Sequence, residues 1–394
     1  MRQTTIAMAI VVLLAGVVGS GTALAKRKPP GHHGSPGAMS VVATGFNNPR
    51  GLTFGPDGNL YVAEGGLGGT HSSASDPCPQ AHGAAAPYFG STDSQTLGGR
   101  ISKIDAHGVV STVVSGLPSS QTSPALGNLV SGVSAVQFVG QTLYGLLAGA
   151  GCSHGVPTVP NGVFRVGPGN SWTLIANLSA FLASHPAANP DDADFEPDGT
   201  WYSMAAAGHA LYPMDSNHGE LDRVSTSGSI SRVLDISAVV GHVVPTAIIP
   251  TGHKGGGGHP GHGHSFARHG QGHPVFFIAN LGGFGPPDGT TPNESVWTLK
   301  GHSLRLRATG LEQVLGLAFF RGQLYALESS TTPGGPTPGS GAIVRIEDGA
   351  PAATVASGLV LPTGMTAGRD GLYVSEQGFG FPAGQGRVIK VPLH

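Results

Sequence analysis

One phrase constrains what this chain can fold into more than any other feature. It runs from Pro49 to Glu64 as a short apolar segment, a Gly55-Pro56-Asp57-Gly58 turn, and a second apolar segment, Leu60-Tyr61-Val62-Ala63, ending on Glu64. The phrase returns from Gly316 to Glu328 and again from Gly364 to Glu376. Weaker copies pair Ala135–Phe138 with Thr142–Gly145, Trp201–Ala205 with Ala210–Tyr212, and Val244–Ile249 with Val275–Ile278. Asp-Gly between two apolar runs closes a tight hairpin, because glycine and aspartate tolerate the left-handed backbone such turns need. A recurring hairpin of this length is the signature of a repeat architecture.

Each hairpin is followed by two more strand-like segments. These are Arg100–Asp105 and Val109–Val114, Gly162–Val166 and Trp172–Ile175, Glu220–Val224 and Ile230–Leu234, Glu294–Leu299 and Leu304–Ala308, then Ala342–Ile346 and Ala352–Ala356. The last unit offers only Arg387–Val391, while an extra strand, Ser40–Thr44, stands alone at the start. Six four-stranded units, one short at the end and one strand spare at the beginning, predict an all-β fold. That fold is a six-bladed β-propeller closed by an N-terminal strand completing the last blade. Composition agrees: 65 glycines and 31 prolines among 394 residues leave no room for long helices. One short helix is expected, Leu178–Ser184, with Asn177 as its N-cap.

Residues 1–25 read as a secretory signal peptide. Arg2 supplies the positive start, Ile6–Val18 the apolar core and Ala23-Leu24-Ala25 the small-residue cleavage site. A retained membrane anchor is the competing reading, which the glycines and the A-x-A ending disfavour. Residues 26–38 form a flexible Pro/Gly/His-rich leader, and residues 39–394 the propeller. A His/Gly-rich insert, residues 253–274, falls within the fourth hairpin and is expected to be disordered. The chain is thus expected to be secreted or extracytoplasmic, monomeric, and without a membrane span once the signal is removed.

The only cysteines are Cys78 and Cys152. Both fall in long excursions that follow a second strand, Gly65–Gly99 and Gly149–Asn161, so the repeat places them on one face of adjacent units. A disulfide between them is predicted.

Second strands end in Glu64, Glu328 and Glu376, with Asp215 and Asn280 near the same phase. This ring of oxygen ligands at one mouth suits a cation, a sugar or an amine. Equally, each carboxylate can brace its own glycine-rich loop by accepting backbone N–H bonds. The histidines His259, His262 and His264 are spaced by glycines and are weak metal candidates. No catalytic motif is found, and no cofactor follows from the residues, a divalent cation being compatible but not indicated. Charged residues are 11% of the chain and the formal net charge is −2, which excludes a nucleic-acid-binding field.

The opening Val42-Ala43-Thr44-Gly45-Phe46-Asn47-Asn48-Pro49-Arg50-Gly51-Leu52, with Phe54–Gly58 and Tyr61–Glu64, resembles the ScyD/ScyE family. Asn177–Asp192 and Asp215–Val224 are similar to that family's middle section, and the likeness spans most of residues 40–391. It implies an exported six-bladed propeller akin to NHL-repeat and TolB-like ones, without assigned catalytic residues. Two function classes are therefore weighed: a module that binds a small molecule, glycan or extracellular protein on its top face, and a hydrolase of the lactonase or strictosidine-synthase type. Such lactonases hold a divalent cation with acidic and amide groups at the starts of inner strands. Here those starts read Pro49-Arg50-Gly51-Leu52, Ser131-Gly132-Val133, Val314-Leu315-Gly316-Leu317 and Pro362-Thr363-Gly364-Met365, with neither carboxylate nor His. Binding is favoured.

Overall fold

The computed structural model describes residues 38–83, 85–91, 96, 98–123, 129–190, 194–251, 274–282, 294–332, 336–347 and 350–393. The signal, the leader up to residue 37 and the His-rich insert up to residue 273, including His259, His262 and His264, lie outside the described residues.

Strands dominate, arranged as seven four-stranded antiparallel sheets. Six of them follow the repeat, and we number these I to VI. Sheet I comprises Pro49–Phe54, Leu60–Glu64, Gly99–Ile104 and Val110–Leu117. Sheet II comprises Val133–Val139, Thr142–Leu147, Gly162–Val166 and Trp172–Asn177. Sheet III comprises Trp201–Ala207, Ala210–Asp215, Glu220–Ser225 and Ile230–Asp235. Sheet IV comprises Pro245–Pro250, Val275–Asn280, Ser295–Lys300 and Ser303–Thr309. Sheet V comprises Val314–Phe320, Gln323–Glu328, Gly341–Ile346 and Ala353–Leu359. Sheet VI holds Gly364–Ala367, Gly371–Glu376 and Gly386–Pro392, with Ser40–Phe46 pairing antiparallel to the last of these, Ser40 opposite Lys390 and Phe46 opposite Gly386.

The first strands touch in the succession I–II–III–IV–V–VI, and the first strand of VI touches that of I. This is the arrangement of a β-propeller. Second strands read as continuous apolar runs because both their faces are covered. In sheet V, Leu324 and Ala326 pack toward sheet IV, whereas Tyr325 and Leu327 pack toward sheet VI. Six apolar clusters result, each between neighbouring sheets. The one between VI and I unites Ala43, Phe46 and Val388 with Leu52, Leu60, Val62 and Ile104. Phe46 is wholly buried there, and full burial of such a side chain contributes about 1.5–3 kcal/mol.

The helix Leu178–Ser184 forms as expected, the Asn177 side chain accepting the Ala180 N–H at 2.9 Å. The seventh sheet has no counterpart in the sequence reading. It joins His71–Ser72, Phe89–Gly90, Ser120–Gln121 and Val130–Ser131, so the Gly65–Gly99 excursion and the I–II connection make a small cap. Backbone packs directly on backbone at its edge: a Cβ on Gly90 would lie 2.0 Å from the Gly155 carbonyl oxygen. The cap is tied to the second excursion by the disulfide Cys78–Cys152. Among the described residues no helix is long and apolar enough to cross a membrane.

Candidate functional site

The ends of the second strands lie beside the beginnings of the first, with Pro49 opposite Glu64, Trp201 opposite Asp215, Pro245 opposite Asn280 and Val314 opposite Glu328. Each carboxylate there meets the backbone entering its own sheet. Glu64 accepts the Asn47 N–H at 2.6 Å, Glu328 the Glu312 N–H at 2.9 Å, Glu376 the Val360 N–H at 2.8 Å and Asp215 the Thr200 N–H at 3.0 Å. Third-strand cations add to two of them. Arg100 Nε donates to Glu64 at 2.7 Å, and Arg387 Nε to Glu376 at 2.7 Å. Asn280 donates to Ser295 Oγ at 3.2 Å. All five side chains are buried. They stand in one phase of the repeat, as the sequence indicates, but each makes its bonds within its own sheet.

Residues one to three positions after four of them border open space. Ser216 and Asn217, Leu281 and Gly282, Ser329 and Phe379 line a cavity of about 320 Å³ above the first strands. Its floor carries Tyr202, whose hydroxyl crosses from sheet III to donate to the Thr363 carbonyl at 3.0 Å. Below that floor the first strands of all six numbered sheets, from Gly51 in sheet I to Met365 in sheet VI, enclose a second space. Ser134, Thr246 and Leu315 border both. The cap supplies one wall through Ala85, Tyr88, Thr122 and Val130.

Arg50 enters this cavity from the start of the first strand of sheet I. Its Nη2 donates to the Val130 carbonyl at 2.5 Å, and its own carbonyl accepts the Ser375 hydroxyl at 2.7 Å. Among the described residues no carboxylate pairs with it. Burial pulls the guanidinium below its ordinary value, which neighbouring Tyr202 partly offsets. Burial likewise pushes the Tyr202 phenol up.

Among the described residues three carboxylates share the cavity. Glu196 is engaged: Tyr88 Oη donates to it at 2.7 Å, Thr200 Oγ1 bonds its other oxygen, and His154 Nε2 lies 3.5 Å away. Burial works to raise its pKa, but the His154 bond and charge, with the Thr200 and Tyr88 hydroxyls, bring it below the usual value. Tyr88 also packs on the His154 ring at 4.5 Å, and burial with the Glu196 charge holds its phenol well above the usual range. Asp194 is tied through its carbonyl to Asn217 Nδ2 at 2.5 Å. Glu294 is half-buried, and burial first, with the charge of Glu312, raises its carboxyl against the pull of its own backbone N–H.

A second polar cluster sits within sheet III. His218 Nδ1 lies 2.9 Å from Asp215 Oδ2. Burial lowers the imidazole, but the Asp215 charge and bond carry it above its ordinary value, while Asp215 is lowered despite its burial. On the next strand Glu220 and Asp222 are both wholly buried beside Arg232. Burial, then the charges of Asp222 and Asp215, push Glu220 up to about 9. Burial and Asp215 push Asp222 up to about 7 against the pull of Arg232. Among the described residues no group of three or more His, Cys, Asp or Glu side chains is placed to hold a metal.

The five second-strand residues singled out from the sequence are not among the residues lining this cavity, and the sequence reading did not single out Arg50, Tyr88, Glu196, Tyr202 or Glu294. Arg50 had a legible signal, a lone cation at the start of an inner strand in a chain poor in charge. Tyr88 and Glu196 arrive on irregular segments, where no repeat assigns a phase.

No family model matches the chain, and no curated protein matches it. Solved structures do. An aldose sugar dehydrogenase from Streptomyces coelicolor, solved in its PQQ-bound form, is 12% identical over 90% of this chain and 98% of its own, with a TM-score of 0.51. An oxidoreductase described as a glucose dehydrogenase, from Thermus thermophilus, is 15% identical over 90% of this chain and 99% of its own, with a TM-score of 0.50. At this identity the likeness shows the β-propeller fold and no more.

Proposed function

We propose that the protein is an exported six-bladed propeller, of the kind the ScyD/ScyE resemblance implies, that binds a small organic anion in its upper cavity. The blade count is supported by the six interfacial apolar clusters and the circular contacts of the first strands. The N-terminal strand pairing in sheet VI supports closure by that strand. Export is supported by the apolar, A-x-A-terminated N-terminus and by a disulfide that suits an oxidising compartment.

One observation carries the ligand class: among the described residues, the Arg50 guanidinium is held at the cavity with one carbonyl as partner and no carboxylate. A cation withdrawn from bulk water without a counter-charge is costly, and an incoming carboxylate relieves that cost with a charge-assisted, two-pronged bond. The apolar walls at Val130, Leu281, Leu315 and Phe379 fit a hydrocarbon body behind the anionic group.

Calorimetric titration with hexanoate and with hexanamide tests this. Hexanoate should bind and the neutral amide should not, and Arg50→Gln should weaken hexanoate by about tenfold or more. Equal binding of acid and amide, or an unchanged affinity in both Arg50→Gln and Arg50→Lys, overturns it. Turnover of a lactone by the purified protein, lost on Arg50→Gln, would put the hydrolase reading first.

A further inference from the structure

Arg50 has a counterpart across the cavity. It belongs to sheet I, while Glu294 immediately precedes the third strand of sheet IV, and both line the same space. Around the contact order of the first strands, sheets I and IV are three steps apart in either direction, which makes them opposite. The cavity therefore has a positive side and a negative side.

Of the three carboxylates among its described lining residues, Glu294 has no side-chain partner among the described residues and accepts its own backbone N–H. Glu196 is spent on Tyr88, Thr200 and His154, and Asp194 stands in the segment that Asn217 anchors. The Glu294 carboxylate lies over a glycine: a Cβ on Gly282 would come 2.9 Å from its Oε1. Between the two charged groups the walls are apolar, at Leu129, Val130, Val244, Leu281 and Leu315.

We infer that the ligand is zwitterionic, an amino carboxylic acid with an apolar body, its carboxylate on Arg50 and its ammonium on Glu294. This rests on the reading of Arg50 as the anion anchor. The physical ground is complementarity. The cavity's described lining has the Arg50 guanidinium on one side and, on the other, the Glu294 carboxylate without a described side-chain partner, with His242 also in the wall. Such a cavity favours a molecule that answers both charges over one that answers either alone. Glu294 faces Glu312 as well, so an ammonium also relieves repulsion between carboxylates.

Titration with three matched pairs tests the inference: butanoate, hexanoate and octanoate, each against its ω-amino derivative. For at least one length the amino acid should bind roughly fivefold or more tightly than the plain acid. Glu294→Gln should erase that advantage while leaving the plain acid within about twofold, whereas Arg50→Gln should weaken both. Glu294 is half-buried and, among the described residues, accepts only its own backbone N–H, so Glu294→Gln should melt with the native protein, and circular dichroism checks this. Amino acids no tighter than plain acids at every length, or a Glu294→Gln loss shared equally by both, sinks the inference and leaves the Arg50 reading standing. If no plain acid binds at all, the Arg50 reading itself is lost, and this inference with it.

Discussion

At the scale of single residues, this molecule separates carboxylates that hold backbone from carboxylates that face space. Glu64 and Glu376 each join an entering-loop N–H to a third-strand arginine, and both are buried. Neutralising either weakens a charge-assisted bond and leaves a half-covered guanidinium facing an amide. Glu64→Gln and Glu376→Gln should each cost about 1–3 kcal/mol in urea unfolding. Glu294→Gln should change the same midpoint by less than about 0.5 kcal/mol. Stability unaffected by the first two, with ligand binding lost instead, would return the second-strand ring to the role of ligand set. The ring position was legible because the repeat fixes the phase of Glu64, Glu328 and Glu376. Which way a carboxylate spends its oxygens was not, since that depends on loop backbone 15 to 17 residues earlier.

At the scale of elements, two features stand outside the repeat. The cap was not legible: strands of two residues carry no alternation, and the Gly/Ser/Pro-rich segments that form them read as loop. Only its cysteine marked it. The disulfide spans 74 residues, and loop closure of that size contributes about 4 kcal/mol in the simple chain-entropy model. Because the cap carries Tyr88 to the cavity, Cys152→Ser should both lower the melting temperature and weaken hexanoate binding. A variant that melts earlier but binds unchanged would show that the cap wall is not part of the site. The second feature is the Glu220–Asp222 pair. Both carboxyls hold their protons more tightly in the folded chain than in the unfolded one, with values of about 9 and about 7 against 4.5 and 3.8. The native state then binds more protons, so their contribution is complete below the ordinary values and is lost as pH rises through 7 and 9. Asp215 and Glu196, lowered instead, have given their full contribution above the ordinary carboxylate range. The melting temperature should accordingly fall, by roughly 5 °C or more, between about pH 5 and pH 9. Glu220→Gln with Asp222→Asn should flatten that slope, and a wild-type curve that rises over the same range refutes the account.

At the scale of the whole molecule, the architecture was legible because a ring of sheets repeats one short phrase, and each copy buries both faces of its second strand. The starts of two outer strands were legible as well: the fourth strands of sheets II and III begin at Trp172 and Ile230, as the sequence reading places them. The same repeat count, one strand short at the end and one spare at the start, also pointed to how the last sheet is completed. Sheet VI draws three strands from the end of the chain and its fourth, Ser40–Phe46, from the beginning. Without that strand, Gly386–Pro392 becomes an unpaired edge, and the apolar cluster between sheets VI and I loses Ala43 and Phe46 while Leu52, Val62 and Val388 are uncovered. Two separable costs follow. Loss of the Phe46 side chain alone, as in Phe46→Ala, removes a wholly buried ring and should cost about 3–5 kcal/mol. Loss of the whole strand adds an exposed edge with free N–H and C=O groups, which templates pairing with other chains. Deletion through Phe46 should therefore both lower the melting temperature and shift the protein from one species to aggregates in light scattering, whereas Phe46→Ala should lower the melting temperature and stay dispersed. If the deleted protein remains a single species that melts with the full chain, the N-terminal strand is an accessory to the ring and not what closes it.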